Sequence, residues 1–313
     1  MELVPVPVIG LRREREVLTL ALATGRHVVI EGPPGTGKST LLRAIAAESG
    51  RGMVFVEGNA ELTPARLVGQ HDPARVLADG YAPDAFVDGP LLTAMRGGGL
   101  LYLEELNRVP EETLNVLITV LTEGSIAVPR LGTVAAGPQF RLIAAMNPFD
   151  AVGTARVSQA VSDRMCRVVL GYQDEAAERA ITTAVTGHQG PPVALAVALV
   201  RATRGHRDVR MGSSVRGAID LVLLLDGLVA LRGLDSPVDR EALRDAAHAA
   251  LSGRIRLAEG CGRTPEDVID ELLDGLPEAG ESQAPPPGKA DRPPGTPPPA
   301  GSRHRDGRRS GPA

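Results

Sequence analysis

The sequence lacks tryptophan and is poor in the other aromatic residues, with 3 tyrosines and 4 phenylalanines among 313 residues. A core of this chain must therefore rest on alanine, valine and leucine, for which the hydrophobic fraction of 43% is ample. The net charge of −4 gives no electrostatic reason to expect nucleic acid or acidic lipid as a partner of the whole chain. The scarcity of aromatic rings also argues against binding of single strands by base stacking.

Cysteines and long apolar runs are scarce as well. Cys166 and Cys261 are isolated and form no CxxC pair, so neither a disulfide framework nor a zinc site is expected. The apolar stretches at 193–200 and 219–231 are too short or too interrupted to span a bilayer, and the first residues show no basic-then-apolar signal pattern. These features predict a soluble cytoplasmic protein with no membrane partner.

The composition changes abruptly near position 277. Residues 278–313 are nearly all Pro, Gly, Ser, Ala and charged residues without apolar periodicity, which predicts a disordered tail. From Lys289 onward the tail carries six basic and two acidic side chains. This excess of positive charge indicates either a contact for an acidic partner or nucleic acid, or simply a solvated tail.

Upstream of the tail, short apolar runs alternate with segments of helical spacing such as 11–24. Five of the runs are typical of buried parallel strands, at 27–31, 53–57, 100–104, 141–146 and 167–171. Strands that alternate with helices predict an α/β core at 1–172, with a parallel sheet covered by helices on both faces. Strand signals end after position 172, and 173–277 is predicted to be a small domain of four or five helices.

The segment GPPGTGKST, here called the phosphate loop (residues 32–40), carries the strongest chemical signal. It fits the pattern G-x-x-x-x-G-K-[ST] and lies between a predicted strand and a predicted helix. Its glycines allow backbone N–H groups to point at phosphate oxygens, while Lys38 would reach the β- and γ-phosphates and Ser39 would bind Mg²⁺. The alternative is a glycine-rich turn that matches by chance. The predicted nucleotide-binding residues of the loop are Gly32, Pro33, Pro34, Gly35, Thr36, Gly37, Lys38, Ser39 and Thr40.

Two adjacent carboxylates, Glu104 and Glu105, end the strand at 100–104. We expect this strand to lie beside the strand of the phosphate loop. Glu104 would then hold Mg²⁺ through water, and Glu105 would polarise the attacking water. The metal position usually holds Asp, so the longer Glu104 predicts altered Mg²⁺ geometry and slower turnover. The alternative is an exposed acidic pair at the turn into a helix at 111–122.

Taken in order, these segments resemble the MoxR-type AAA+ ATPases, a branch that also includes the magnesium-chelatase ATPase subunit and gas-vesicle ATPases. The segments that carry the resemblance are GPPGTGKST, FVDGPLLTAM (86–95), LLYLEELNRVPEETLNVL (100–117), LTEGSIAVP (121–129), IAAMNP (143–148) and VSDRM (161–165). The resemblance covers roughly 8–275. It implies a P-loop AAA+ core, a helical lid, Mg²⁺-dependent hydrolysis of ATP, and a ring that is expected to be a hexamer.

The resemblance also assigns roles to single residues. Asn147 would orient water at the γ-phosphate, or is an ordinary Asn-Pro turn. Arg164 is similar to the arginine finger that a subunit projects into its neighbour's nucleotide, or is a surface pair with Asp163. Arg216 resembles the second sensor arginine of the lid, or is a plain surface arginine.

The stretch with Ile9 and Gly10, which follows Val8, matches the part of the family that packs on the adenine ring. A hydrophobic staple onto the core explains it equally well. The role of Arg108 stays open, on a face that would line the ring interior or a subunit boundary.

Two insertions set the chain apart from a plain AAA+ core. The first insertion is 59–86, and the second, 124–140, has the pattern of a β-hairpin. In the family such insertions face the ring pore or the client protein. The hairpin lacks the aromatic residue that many AAA+ translocases use to grip a polypeptide, which argues against a processive unfoldase.

The function predicted from the sequence is an ATPase that remodels or activates a partner protein, in a chaperone-like role. The resemblance implies a partner with a von Willebrand factor A domain, often in cofactor or metal insertion. The alternatives are a nucleic-acid motor, a nucleotide-gated scaffold with little turnover, and an ATPase that serves gas-vesicle assembly or metal chelation. Nucleic acid is the less expected partner because the positive charge is confined to the tail.

Overall fold

A computed structural model describes residues 8–147 and 159–276. The predicted tail at 278–313 lies outside the described residues, as does Pro148 of the predicted Asn-Pro turn. The described residues belong to one compact unit that ends at Leu276. The division of this unit into a core and a lid at 172/173 stays a prediction.

Short strands occur throughout the described chain. They are β1 (Val28–Glu31), β2 (Met53–Glu57), β3 (Gly69–His71), β4 (Phe86–Asp88), β5 (Leu100–Glu104), β6 (Ser125–Val128), β7 (Gly132–Ala135), β8 (Arg141–Met146), β9 (Cys166–Val169), β10 (Val209–Met211) and β11 (Arg256–Leu257). The five runs predicted from the sequence are β1, β2, β5, β8 and β9, so all five predicted strands are confirmed.

Helices connect and cover these strands. They are α1 (Arg12–Ala23), α2 (Lys38–Ser49), α3 (Pro64–Val68), α4 (Pro73–Asp79), α5 (Pro90–Gly97), α6 (Glu111–Glu123), α7 (Gln159–Ser162), α8 (Glu175–Thr186), α9 (Pro191–Gly205), α10 (Val215–Arg232), α11 (Arg240–Leu251) and α12 (Pro265–Asp274). No helix among these described elements is long and apolar enough to cross a membrane.

The five long strands form one parallel sheet in the order β2-β5-β8-β1-β9. Our expectation that the acidic strand lies beside the phosphate-loop strand is wrong, because β8 pairs with both β1 and β5 and separates them. The carboxyl ends of parallel strands meet at one edge of the sheet. The phosphate loop, the end of β8 and the two acids after β5 therefore still converge there.

Alternation along the strands places apolar residues on both faces of the sheet. In β5, Leu101 and Leu103 belong to a cluster with α5 and α6, whereas Leu100 and Tyr102 belong to a cluster with α1 and α2. A sheet with both faces buried needs the continuous apolar runs seen in the sequence. The predicted fold class, an α/β sheet with helices on both faces, is confirmed.

The helices from α9 to α12 share an apolar cluster of their own, made mainly of Val, Leu and Ala side chains of α9, α10 and α11. The expectation that strand signals end after position 172 is wrong in one detail, since β10 and β11 form a small antiparallel pair among these helices. Strands of three and two residues are too short to show a period in the sequence.

Both insertions are built on antiparallel pairs. In the first, β3 pairs with β4 around the short helix α4, and in the second β6 and β7 form the predicted hairpin, which is confirmed. Arg130, at the hairpin turn, has a φ of 65° and places its guanidinium 3.5 Å from the ring centroid of Tyr81 in the first insertion. The two insertions are thus in contact through a cation–π pair.

Candidate functional site

The phosphate loop leaves β1 and enters α2 in a conformation that its glycines make possible. Gly35 and Gly37 have φ values of 76° and 90°, in the left-handed region that residues with a Cβ rarely adopt. Gly32 meets a different limit, because a Cβ there would lie 2.4 Å from the carbonyl oxygen of Leu170 in the segment after β9. The glycine pattern found in the sequence therefore has two steric causes, a left-handed φ at Gly35 and Gly37 and a close backbone contact at Gly32.

Lys38, the first residue of α2, folds back onto the loop. Its Nζ donates to the carbonyl oxygens of Gly32 at 2.8 Å and Pro33 at 3.0 Å. Burial lowers the pKa of Lys38 from its usual value and nearby Arg216 lowers it further, while the carboxylates of Glu104 and Glu105 oppose the shift. The lysine is thus positioned between the loop and the acidic strand end.

Ser39 and Glu104 are in direct contact. Ser39 Oγ donates to Glu104 Oε1 at 3.0 Å, and the hydroxyl of Tyr102 lies 3.2 Å from Ser39 Oγ. Burial is the main reason that the pKa of Tyr102 is raised above its usual range. Hard oxygen ligands from a hydroxyl and a carboxylate are those that Mg²⁺ prefers, so this pair of residues fits the predicted metal site.

Glu105 follows β5 in an unusual backbone conformation. Its φ of 55° lies in the left-handed region and starts a 3-10 turn, Leu106–Arg108. Such a conformation is unfavourable for a residue with a Cβ and tends to occur at functional sites. Arg108 Nε lies 3.1 Å from Glu105 Oε2 in an ion pair. The geometry of this contact is not that of a hydrogen bond, since Oε2 is buried without one.

The predicted site residues on different elements border one cavity beside the phosphate loop. Asn147 follows β8 and Arg216 lies in the first turn of α10, so the sheet edge and the helical part both contribute. The lining residues are Pro34, Gly35, Thr36, Gly37, Lys38, Ser39, Thr40, Glu104, Glu105, Ala145, Met146, Asn147 and Arg216. Gly32 and Pro33 do not line it, and their carbonyl oxygens instead hold Lys38.

The helical part touches the phosphate loop directly. A Cβ at Gly35 would lie 2.1 Å from Ser214 Oγ and 2.5 Å from Ser214 Cβ, so the loop and the N-terminus of α10 are packed without space for a methyl group. Arg216 follows two residues later. Its place at the cavity therefore depends on a contact that only glycine permits.

A second, more apolar cavity borders the same loop. It shares Gly35, Thr36, Gly37, Thr40 and Arg216 with the first cavity, and its remaining lining residues are Val8, Ile9, Leu11, Gln173, Ile181, Val185, Val215 and Ile219.

The N-terminal segment shows features of both interpretations drawn from the sequence. Val8, Ile9 and Leu11 all border the second cavity, as expected for a segment that packs on a base. Val8 and Leu11 also pack against the core cluster beside α1, as expected for a staple. Gly10 has a φ of 72°, and a Cβ there would meet Gln173 Oε1 at 2.3 Å.

Arg164 is the one predicted catalytic residue that does not line the first cavity, the one that Glu105, Asn147 and Arg216 border. Its Nε donates to Thr122 Oγ1 at 2.6 Å, and its Nη1 donates to the carbonyl oxygen of Ala160 at 2.7 Å. Asp163, the alternative partner, instead accepts a hydrogen bond from Gln159. Within its own chain Arg164 therefore does not reach the phosphate loop.

Comparisons with known proteins agree with this geometry. The family model described as an AAA domain (dynein-related subfamily) matches residues 27–165. The gas vesicle ATPase GvpN of Ancylobacter aquaticus is 32% identical over 250 residues, which are 75% of this chain and 69% of that protein. The chain belongs to the AAA+ ATPases of the MoxR and GvpN type. It is an ATPase with a nucleotide-binding fold, in a family whose members are typically oligomeric and act on partners.

Other relatives of this AAA+ ATPase agree. The gas vesicle ATPase GvpN of Haloferax mediterranei is 30% identical over 251 residues, or 75% of this chain and 70% of that protein. The Holliday junction branch migration motor RuvB of Thermotoga maritima has a TM-score of 0.51 at 16% identity, over 77% of this chain and 70% of that chain. The likeness to RuvB shows the fold alone.

The sequence patterns did not indicate three side chains of this AAA+ ATPase that contact the predicted site or the insertions. The pattern predicted Tyr102 only as a strand residue, yet its hydroxyl lies at the Ser39–Glu104 contact. It predicted Thr122 only as part of a helix, yet the Thr122 hydroxyl accepts a hydrogen bond from Arg164. Tyr81 supplies an aromatic ring against the hairpin, which has none of its own at its turn. For Tyr102, the only available signal in the sequence was its position two residues before Glu104, and that spacing does not indicate Ser39 as its partner.

Proposed function

We propose that the chain hydrolyses ATP with Mg²⁺ at the cavity beside the phosphate loop. The observation that carries the proposal is the convergence of Lys38, Ser39, Glu104, Glu105 and Asn147 on that single cavity. Ser39 and Glu104 would hold the cation, which supplies positive charge against the phosphates when bound. Lys38 adds a second positive charge from the loop.

The remaining residues would act on water and charge. Glu105 accepts a proton from the attacking water, and Asn147 orients that water from the end of β8. Arg216 contributes positive charge from α10, which ties the helical part to the state of the nucleotide. Ile9 and Gly10 would form the base side of the site.

Glu105→Gln tests the role of the base. It keeps the shape of the side chain and removes the carboxylate, so nucleotide should still bind while hydrolysis falls by a factor of about 100 or more. Lys38→Ala is the matched variant in which binding should fall as well. Hydrolysis at the wild-type rate in Glu105→Gln contradicts the proposal.

We further propose that the chain works as a ring, with a hexamer as the expected form, and that Arg164 completes the site of a neighbouring copy. The distance of Arg164 from its own cavity supports this role. An arginine that acts on the next subunit makes activity depend on assembly. In a dilution series the specific ATPase activity should therefore fall steeply as the ring dissociates. Constant specific activity down to the monomer range contradicts the proposal.

For the client, we propose a protein of gas-vesicle formation that the ATPase remodels or activates. The named relatives support this choice, since the chain spans 69% of the Ancylobacter aquaticus gas vesicle ATPase. A partner with a von Willebrand factor A domain stays a prediction from the resemblance to MoxR-type proteins. A location in the cytoplasm is part of the same proposal.

Complementation tests the client directly. The chain, expressed in Ancylobacter aquaticus without its own gas vesicle ATPase, should restore vesicles that electron microscopy can count. Glu105→Gln at the same expression level should not restore them. Vesicles absent with the wild-type chain, when its ATPase activity in the same cells is intact, contradict a gas-vesicle client and leave the ATPase assignment standing.

One observation favours a second candidate, a nucleotide-gated scaffold with little turnover. The ion pair of Glu105 with Arg108 occupies the proposed base. In a scaffold, ATP would change the assembly without being consumed. Single-turnover measurements distinguish the two, since a scaffold releases ATP unchanged and an enzyme releases ADP.

A further inference from the structure

Tyr102 is buried next to the proposed metal ligands. Its side chain is 0% exposed, and it lies two residues before Glu104 in β5, so the two side chains point to the same face of the strand. A phenol hydroxyl in a buried layer costs free energy unless it is hydrogen-bonded. Its contact with Ser39 Oγ at 3.2 Å satisfies this requirement.

Hydrogen bonds link these three side chains. The Ser39 hydroxyl donates its single proton to Glu104 Oε1, and the carboxylate oxygen accepts it. With the Ser39 proton on Glu104, the contact between Ser39 and Tyr102 is donated by the tyrosine. A chain of donors runs from Tyr102 through Ser39 to Glu104.

Tyr102, the first donor of this series, is held in place because its ring packs in the apolar cluster beside α1 and α2 and lies 5.5 Å from the ring of Phe55. A fixed donor at one end limits the positions that Ser39 and Glu104 can take. Fixed partners behind metal ligands raise the affinity for a cation because less order is lost when it binds.

We propose that Tyr102 is a positioning residue for Ser39 and Glu104, and that Tyr102 and Glu104 act as a pair in place of the shorter acid usual at the metal position. The proposal rests on the proposed Mg²⁺ site. The extra methylene of Glu104 brings its carboxylate to Ser39 Oγ, which the tyrosine hydroxyl also contacts. Glu104 is then an adaptation to Tyr102 and not a defect of the site.

The test measures the gain in affinity for a non-hydrolysable ATP analogue on adding Mg²⁺, by calorimetry with Mg²⁺ and with EDTA. Tyr102→Phe removes one oxygen and keeps the ring, so the fold should persist, with circular dichroism as the check. The Mg²⁺-dependent gain should fall about 10-fold, as for other residues behind metal ligands. Affinity in EDTA should not change. Tyr81→Phe, which removes the same hydroxyl from a half-exposed ring of the first insertion, should leave the gain as in the wild-type chain.

Glu104→Asp provides the second half of the experiment. It withdraws the carboxylate by one methylene, so it should lower the gain by itself. Tyr102→Phe should then have an effect below about 2-fold in that background, because the pair is already broken.

An unchanged gain in Tyr102→Phe overturns the proposal, and so does an equal loss with and without Mg²⁺, which shows a merely structural role. A full effect that persists in Glu104→Asp overturns the pairing with Glu104. If the wild-type chain binds the analogue without any Mg²⁺-dependent gain, the proposed metal site itself fails. That result is distinct from a failure of Tyr102 alone.

Discussion

His27 is expected to make the stability of the nucleotide-binding core depend on pH. It directly precedes β1, and its Nδ1 accepts a hydrogen bond from the backbone N–H of Leu142 in β8 at 2.9 Å. Burial, with a contribution from the positive charge of Arg141, lowers the pKa of His27 from 6.5 to about 4. The neutral ring thus joins the two strands that carry the phosphate loop and Asn147.

The sign follows from the direction of this shift. Between pH 6.5 and pH 4 the unfolded chain binds a proton on His27 that the folded chain does not bind. The contribution of neutral His27 to the free energy of unfolding is therefore fully present above pH 6.5 and is lost as the pH falls towards 4. A shift of this size corresponds to about 3 kcal/mol, at about 1.4 kcal/mol for each pH unit. Below pH 4 the loss levels off, because both states are then protonated.

His27→Asn is the variant that isolates this effect. The Asn oxygen can accept the Leu142 N–H in place of Nδ1 but does not titrate, and all other titrating groups are shared with the wild-type chain. Urea denaturation from pH 8 to pH 4 should show the wild-type chain losing about 3 kcal/mol more than the variant. Parallel curves for the two proteins refute the reasoning, as does a larger loss in the variant.

Two further predictions concern the phosphate loop and Arg164. Gly35→Ala and Gly50→Ala both place a Cβ at positive φ, so both should lower the melting temperature. Only Gly35 faces another segment, at Ser214, so only its variant should lose affinity for nucleotide, by about 10-fold. Equal affinity in the two variants would contradict the packing argument. Thr122→Val removes the acceptor that holds Arg164 and should lower ATPase activity about 5-fold without changing nucleotide affinity. Thr122→Ser should keep the activity, and a serine variant as slow as the valine variant would count against positioning by the hydroxyl.

The strands of the core could be predicted because each is a short, uninterrupted apolar run that both faces of the sheet bury. The order of the strands could not, since an apolar run carries no information about its neighbours. The position of β8 between β1 and β5 is one result of this limit. The pair β10–β11 is another, because two or three residues cannot show a period.

The candidate site was foreseen wherever a local backbone rule applies. Gly35 and Gly37 of the phosphate loop and the acids at the strand end are such cases, and the structure brings these four residues to one cavity. The contacts of Tyr102 with Ser39 and of Thr122 with Arg164 join residues that are 63 and 42 positions apart. Contacts over such separations depend on the tertiary fold, and a single sequence does not encode them in any local pattern.

The contact between Arg130 and Tyr81 has a mechanical consequence. The two residues belong to separate insertions, and the strand β4 that closes the first insertion ends at Asp88, two residues before α5 begins. A load applied to the hairpin tip is therefore shared with the first insertion and passes on to a helix that packs on the sheet. The coupling between the two insertions through this pair is worth about 0.5–1 kcal/mol, and it links a displacement of either insertion to α5 beside the sheet.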